Sequence, residues 1–371
     1  MRASLTLIAL AGCSSASTFP CTADAQCVSG ASMGSCLKSS VSLTKWCAFP
    51  SAGCAPSDLR WDTTAGDELA GTCVAGEAPD GGAPDGSAPM NEACMGITTN
   101  ITGLWGTAPD NLYAVSQGGG ICHRTSAGWS ADVTDGNGSS LDAIAGGGAG
   151  EMIYAVGSQV FHNDARSSTW IGVTTLPGTA VFHSVAVCSA SDVYLAGADT
   201  VNSVSTGAIF EGAGDIWHVA GPPGTTVVPP SSYYAVWCGG MRPIAVGTSG
   251  FITTRESVSW GSITSGTTVD LHALSGTPDQ DKEYVIGGGP VVGHGPLASL
   301  TLTTLPGQLV SGLFEFSPSD VWVAANDVIH FDGTTWPVVP TTAASHYGAV
   351  WGFPHDVFVG GDGGAIVHLK R

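Results

Sequence analysis

From about residue 100 onward, apolar positions come in short bursts rather than at helical spacing. A motif of apolar, aromatic, apolar, then apolar or glycine recurs, with some drift, with its central residue at Tyr113, Tyr154, Tyr194, Ile244, Tyr284, Trp322 and Phe358. The intervals are 41, 40, 50, 40, 38 and 36 residues. Upstream of each stands a second apolar run (GLWG, AIAG, VAVC, AVWC, ALSG, GLFE, AVWG). Downstream lies a third, around Ile121, Val160, Ile209, Ile252, Val292, Val328 and Ile366. A tryptophan closes five units, at Trp129, Trp170, Trp217, Trp260 and Trp336. Runs this short, bounded by Gly, Pro, Asp and Ser, read as strands joined by turns.

Each unit therefore offers three or four strands, and a sheet of that size cannot bury both faces alone. A period near 40 with four strands per unit predicts an all-β, seven-bladed β-propeller over residues 92–371. The seventh unit stops at Arg371 after its third strand, so Glu92–Thr98 (EACMGIT) is expected to supply the missing one and hide an exposed edge. The stretches WGTAPDNLYAVSQGGGICH, from Trp105, and WGFPHDVFVGGDGGAIVH, from Trp351, show the unit most fully. They resemble the WG…D-V-x-x-V-G-x-x-G-x-I-x-H repeats of bacterial surface propellers. More distantly, they are similar to Asp-box sialidases, through FDGTTW at Phe331–Trp336, and to the photosystem II assembly factor family. This resemblance implies a fold, not an activity.

The chain before the repeats reads differently. Arg2 precedes a mostly apolar stretch, Ala3–Ala11, too short to span a bilayer. Leu10-Ala11-Gly12-Cys13 resembles the lipobox of bacterial lipoproteins, which implies a signal peptide over 1–12, a lipid on Cys13, and display at the outer membrane or cell surface. An ordinary signal peptide, or a start codon set at the wrong place, is the alternative. Residues 13–75 hold six further cysteines, Cys21, Cys27, Cys36, Cys47, Cys54 and Cys73, with no CxxC pair and no histidine nearby. That argues for a disulfide-stapled module rather than a zinc site, with pairings open. CAPSDLRWDTTAGDELAGTC resembles cysteine-rich surface modules of predatory soil bacteria of the myxobacterial kind. Residues 76–91, with APDG written twice, cannot bury anything and read as a linker.

Composition narrows the partners. Hydrophobic residues make up 43% of the chain and charged residues 11%, which excludes a disordered protein. A formal charge of −19 repels phosphate backbones, so nucleic acid is not an expected partner.

Several constellations invite chemistry. His123, His162, His294, His330 and His368 share one repeat position, but third strands of neighbouring blades are too far apart to share a metal, so each imidazole is expected to bond its own blade's turns. Tryptophans repeating in register, including Trp105, Trp237 and Trp351, indicate packing between blades. Gly30-Ala31-Ser32-Met33-Gly34 matches G-x-S-x-G without a strand-to-helix elbow. Asp135, Asn137, Ser139 and Asp142 resemble a calcium loop that has Gly146 where a bidentate Glu belongs. Arg124, Arg166, Arg242, Arg255 and Arg371 are too few and too scattered for a sialidase carboxylate clamp. No cofactor or metal is expected.

Cys188 and Cys238 each stand six residues before their anchor, which predicts a bridge between blades three and four, against two buried thiols. Cys94 and Cys122 pair by elimination. Propellers bind through loops at one channel mouth, where inner strands begin. The candidates there are His183, Tyr233, Tyr234, His272, His346 and Tyr347, suited to protein or glycan contact. The sequence thus points to an exported, monomeric, lipid-anchored binding platform. The alternative is a carbohydrate-active hydrolase or lyase at the mouth, for which Asp270 has no evident companion carboxylate.

Overall fold

The computed structural model describes residues 89–371 except 95, 135–138, 148–151, 165–167, 177–178, 202, 215, 221–229, 240–241, 257–258 and 277–283, together with parts of 20–72. The segment expected as a signal peptide, Cys13, the stretch expected as a linker through residue 88, Gly30, Ala31 and Gly34 of the G-x-S-x-G match and the side chains of Cys36, Cys54 and Cys73 lie outside the described residues, as do Asp135 and Asn137. Ser32–Met33 of that match forms a short strand paired with Val28–Ser29. The chain divides into two compact units, Met1–Gly81 and Gly82–Arg371. No helix among the described residues is long and apolar enough to cross a membrane.

The first unit contains an antiparallel sheet of Ser35–Lys38, Lys45–Pro50 and Leu59–Trp61. Alternation along its middle strand puts Trp46 and Ala48 on one face, packed with Trp61 and Ala65. Cys47 takes the other face and is bonded to Cys27. Cys21 is disulfide-bonded as well. A core this small leaves much of the stability to the cross-links.

The second unit is a seven-bladed β-propeller. Its inner strands are Ile101–Ala108, Leu141–Gly146, Val181–Ser189, Tyr233–Gly239, Ala273–Gly276, Gly312–Ser317 and Tyr347–Phe353. Each opens a sheet of four strands in antiparallel order, and blade two gains a short fifth, Val133–Thr134, at its edge. The second strands carry the recurring motif and are buried end to end in Ile153–Gly157, Tyr284–Gly288 and Asp320–Ala324, because a neighbouring blade covers each of their faces. Two contacts explain why glycines punctuate the repeat. A Cβ on Gly288 would lie 1.8 Å from the Asp270 carbonyl oxygen, and one on Gly157 would lie 2.0 Å from that of Ser140.

Blades lock through aromatic pairs in register. Trp170, Trp217 and Trp260 on outer strands meet Tyr113, Tyr154 and Tyr194 of the preceding blade edge-on, with centroids 6.0, 5.9 and 6.2 Å apart. Trp336 departs from this pattern: it lies in the turn before the outer strand Val338–Val339 and stacks on Phe331 of its own blade at 4.5 Å.

The wheel closes by mixing the ends of the chain. Met90–Ala93 pairs with Ala365–Lys370 as the fourth strand of blade seven, with Glu92 opposite Ile366. The strand begins at Met90, inside the stretch expected as linker, and ends at Ala93, well short of Thr98. Cys94 leaves the sheet because it is bonded to Cys122 of blade one, with Cα atoms 6.1 Å apart. Cys188 and Cys238 are bonded across the inner strands of blades three and four, with Cα atoms 5.4 Å apart.

Candidate functional site

The first residues of the inner strands form two concentric sets. Ile101, Leu141, Phe182, Tyr233, Leu271, Val310 and Tyr347 are 0–2% exposed and fill the spaces between blades. The residue after each faces the mouth: Thr102, Asp142, His183, Tyr234, His272, Ser311 and, as glycine, Gly348. A β-bulge produces this switch. Pairing skips Thr102, Asp142, His183, Tyr234 and Gly348, leaving each as an extra residue turned away from the ladder. In blade five the strand starts just after His272, and in blade six just after Ser311.

The ring is not symmetric. Blades two to five place four chemically active groups side by side. His183 Nδ1 lies 2.8 Å from Asp142 Oδ2, the His183 ring is 5.3 Å from that of Tyr234, and Tyr234 stacks on His272 at 4.3 Å. The other three blades present Ser311, Gly348 and Thr102. His346 borders the same opening and contacts Ser311 at 3.1 Å. Enclosure among the blades pulls the His272 imidazole below its ordinary pKa, outweighing Asp270, which raises it; the nearby His183 lowers it further. Burial raises the Tyr234 phenol, and Asp270 adds to the rise. At neutral pH, His272 and Tyr234 are therefore uncharged.

These residues border an open cavity of about 350 Å³. Below it the channel continues as a second space of about 370 Å³, girdled by one aliphatic side chain per blade: Leu104, Ile144, Val185, Val236, Leu274, Leu313 and Val350.

Four of the six sequence candidates, His183, Tyr234, His272 and His346, border this mouth. Tyr233 and Tyr347 do not. They are 0% and 1% exposed, because they stand on the core side of the bulge. Burial pushes the Tyr233 phenol well up, and the Tyr347 hydroxyl donates to Thr341 Oγ1 at 2.9 Å. Asp142, read in the sequence as part of a calcium-loop pattern, and Ser311 are mouth residues the pattern did not single out. Aligning the residue after each buried strand start would have found both.

Three of the five repeated histidines bond their own blade's first turn as expected, while the rings of His162 and His294 pack against Tyr154 and Phe331, with centroids 6.2 and 5.6 Å apart. His123 bonds Asn111 at 2.8 Å, His330 bonds Asp320 at 2.9 Å and His368 bonds Asp356 at 2.6 Å, each reaching its own blade's first turn. Among the described residues, the one His/Cys/Asp/Glu group close enough to share a metal is Cys21, Cys27 and Cys47, two of which are bonded to each other. On the face opposite the mouth, Arg255 is held by Glu211 and Tyr194, each at 2.6 Å.

Acidic residues occur on both faces, but the described basic residues keep to one. Among the described propeller residues every Lys and Arg (Arg124, Arg242, Arg255, Lys370, Arg371) lies where first strands end, second strands begin or third strands end, away from the mouth. Asp142, Asp199, Asp270, Asp327 and Asp362 lie on the mouth side, at inner-strand starts or at the turns between second and third strands.

No protein-family model matches the chain, and no curated protein matches it in sequence. Solved structures do match in fold. The structure of YCF48 bound to D1 peptide aligns with a TM-score of 0.57 and 16% identity, over 78% of this chain and 99% of that one. Virginiamycin B lyase from Staphylococcus aureus aligns at 0.63 and 8%, over 76% and 99%. The WD40 propeller domain of Doa1 aligns at 0.62 and 9%, over 76% and 97%. At these identities the likeness is one of architecture.

Proposed function

We propose that this protein is a non-enzymatic binding platform, exported and lipid-anchored through Cys13, that holds a protein partner at the channel mouth. One observation carries the reading. Packing positions repeat from blade to blade, whereas the bulged position repeats in geometry but not in chemistry, placing Asp142, His183, Tyr234 and His272 together on four adjacent blades. Packing does not require that departure, and amphipathic rings around an open cavity suit a partner's side chains. That YCF48 is a propeller bound to a peptide supports the choice of a protein partner over a glycan. Cross-linking on intact cells, with the wild type compared against Tyr234→Ala/His272→Ala, tests the reading. A partner lost specifically in the variant supports it, and identical capture by both removes the mouth from consideration.

A hydrolase or lyase at the same mouth is the second reading. It is favoured by the Asp142–His183 contact of 2.8 Å, which orients an imidazole as a general base would require. Turnover on a glycan panel, abolished in His183→Ala, would replace the platform with an enzyme.

A further inference from the structure

We infer that the segment held at the mouth is cationic, a Lys- or Arg-bearing stretch of the partner with one basic side chain seated at the polar ring. This inference rests on the platform reading and names its ligand class.

Three features of the mouth converge on it. The first is charge complementarity: the mouth side carries Asp142, Asp199, Asp270, Asp327 and Asp362 and, among the described residues, no Lys or Arg. The described Lys and Arg of the propeller lie on the opposite face, where Arg124 is held by Glu92, Arg255 by Glu211, Lys370 by Asp356 and Arg371 by Asp320. The mouth carboxylates thus have no described Lys or Arg on their own face, and low-dielectric walls around such a cleft focus their field on a cation.

The second is aromatic. The Tyr234–His272 stack, at 4.3 Å, has Asp270 beside it and, on its other side, the His183 ring, which contacts Asp142 at 2.8 Å. An aromatic ring with a carboxylate beside it attracts an ammonium or guanidinium through both the ring quadrupole and direct charge.

The third separates a peptide from an amino sugar. Immediately below the polar ring the channel is lined by aliphatic side chains, Leu104, Ile144 and Val236 among them, 5–6% exposed. A peptide can set an apolar side chain against such a wall while a neighbouring Lys or Arg keeps its charge at the polar ring. A hydroxylated sugar would leave its donors unpaired there.

The test uses the full chain and three fluorescein-labelled probes: a Lys-Ser repeat peptide, its Glu-Ser counterpart and a chitosan oligomer. Binding of the Lys-Ser peptide alone, weakening steeply with added salt, is expected. Asp142→Asn/Asp270→Asn keeps the side-chain shape and should weaken that peptide about tenfold with the melting temperature unchanged. Asp110→Asn/Asp164→Asn makes the same charge change on the opposite face and should leave the affinity as it was. Equal loss in both pairs would reduce the effect to net charge and overturn the inference. So would preference for the chitosan oligomer, or equal affinity for Lys-Ser and Glu-Ser peptides. If a cross-linked partner is lost in Tyr234→Ala/His272→Ala while the Lys-Ser peptide never binds, the platform stands and the cationic ligand falls.

Discussion

Glu92 receives the guanidinium of Arg124 through two hydrogen bonds, Nε to Oε2 at 2.8 Å and Nη2 to Oε1 at 2.9 Å, from 32 residues away in the chain. The Trp129 indole adds a third bond at 2.6 Å, and His368 a fourth contact at 3.2 Å. A single carboxylate on the closing strand thus ties blade seven to blade one. Burial pushes its pKa up, but the bonds from His368, Arg124 and Trp129 outweigh it and hold the group near 2, against an ordinary 4.5. The stabilisation is whole above pH 4.5 and drains away as the pH falls toward 2, because the unfolded chain takes up the proton first. Glu92→Gln should lose about 2 kcal/mol at neutral pH and show a flatter acid limb in urea melts between pH 5 and pH 2.

Trp105 of blade one lies over Gly146 of blade two so closely that a Cβ there would meet the indole at 2.6 Å. The neighbours cannot retreat, since Tyr113 and Trp351 flank the ring at 6.4 and 6.5 Å. Gly146→Ala should cost about 1–3 kcal/mol by overpacking. In the double variant with Trp105→Ala, the penalty at Gly146 should shrink, and chemical denaturation of the full cycle measures that coupling.

The Cys188–Cys238 bond closes a loop of 50 residues and joins two blades at their inner strands. Replacing both by Ser should lower stability by about 2–4 kcal/mol in non-reducing buffer, chiefly by releasing the unfolded chain. Wild type with added reductant should shift at least as far in guanidinium melts. A variant as stable as the oxidised wild type would show that blades three and four are held by packing alone.

Adjacent tyrosines should behave oppositely. Tyr233→Ala empties a core position between blades and should cost about 3–5 kcal/mol. Tyr234→Ala removes a ring lining the mouth and should change stability by less than about 1 kcal/mol. Thermal melts of the two variants, run with the partner capture assay, separate the core residue from the contact residue.

The order of residues determined the number of blades. Tyr113 and its six successors recur because every second strand is covered on both faces by neighbouring sheets, and that demand writes the same apolar sentence each time. The two inter-element cysteine pairs were legible for a related reason: they sit at equivalent repeat positions or are what remains after the six in the N-terminal module. Which tyrosine faces the ligand was not legible, because Tyr233 and Tyr234 are adjacent and equally aromatic, and alternation alone assigns either to the core. A bulge of one residue, repeated in register across the inner strands, made that assignment and turned Tyr234, His183 and Asp142 together into the opening. Periodicity belongs to local sequence, since it records which positions must be dry. The composition of the mouth belongs to closure of the wheel, since residues about 40 apart in the chain become neighbours only when seven sheets share one axis.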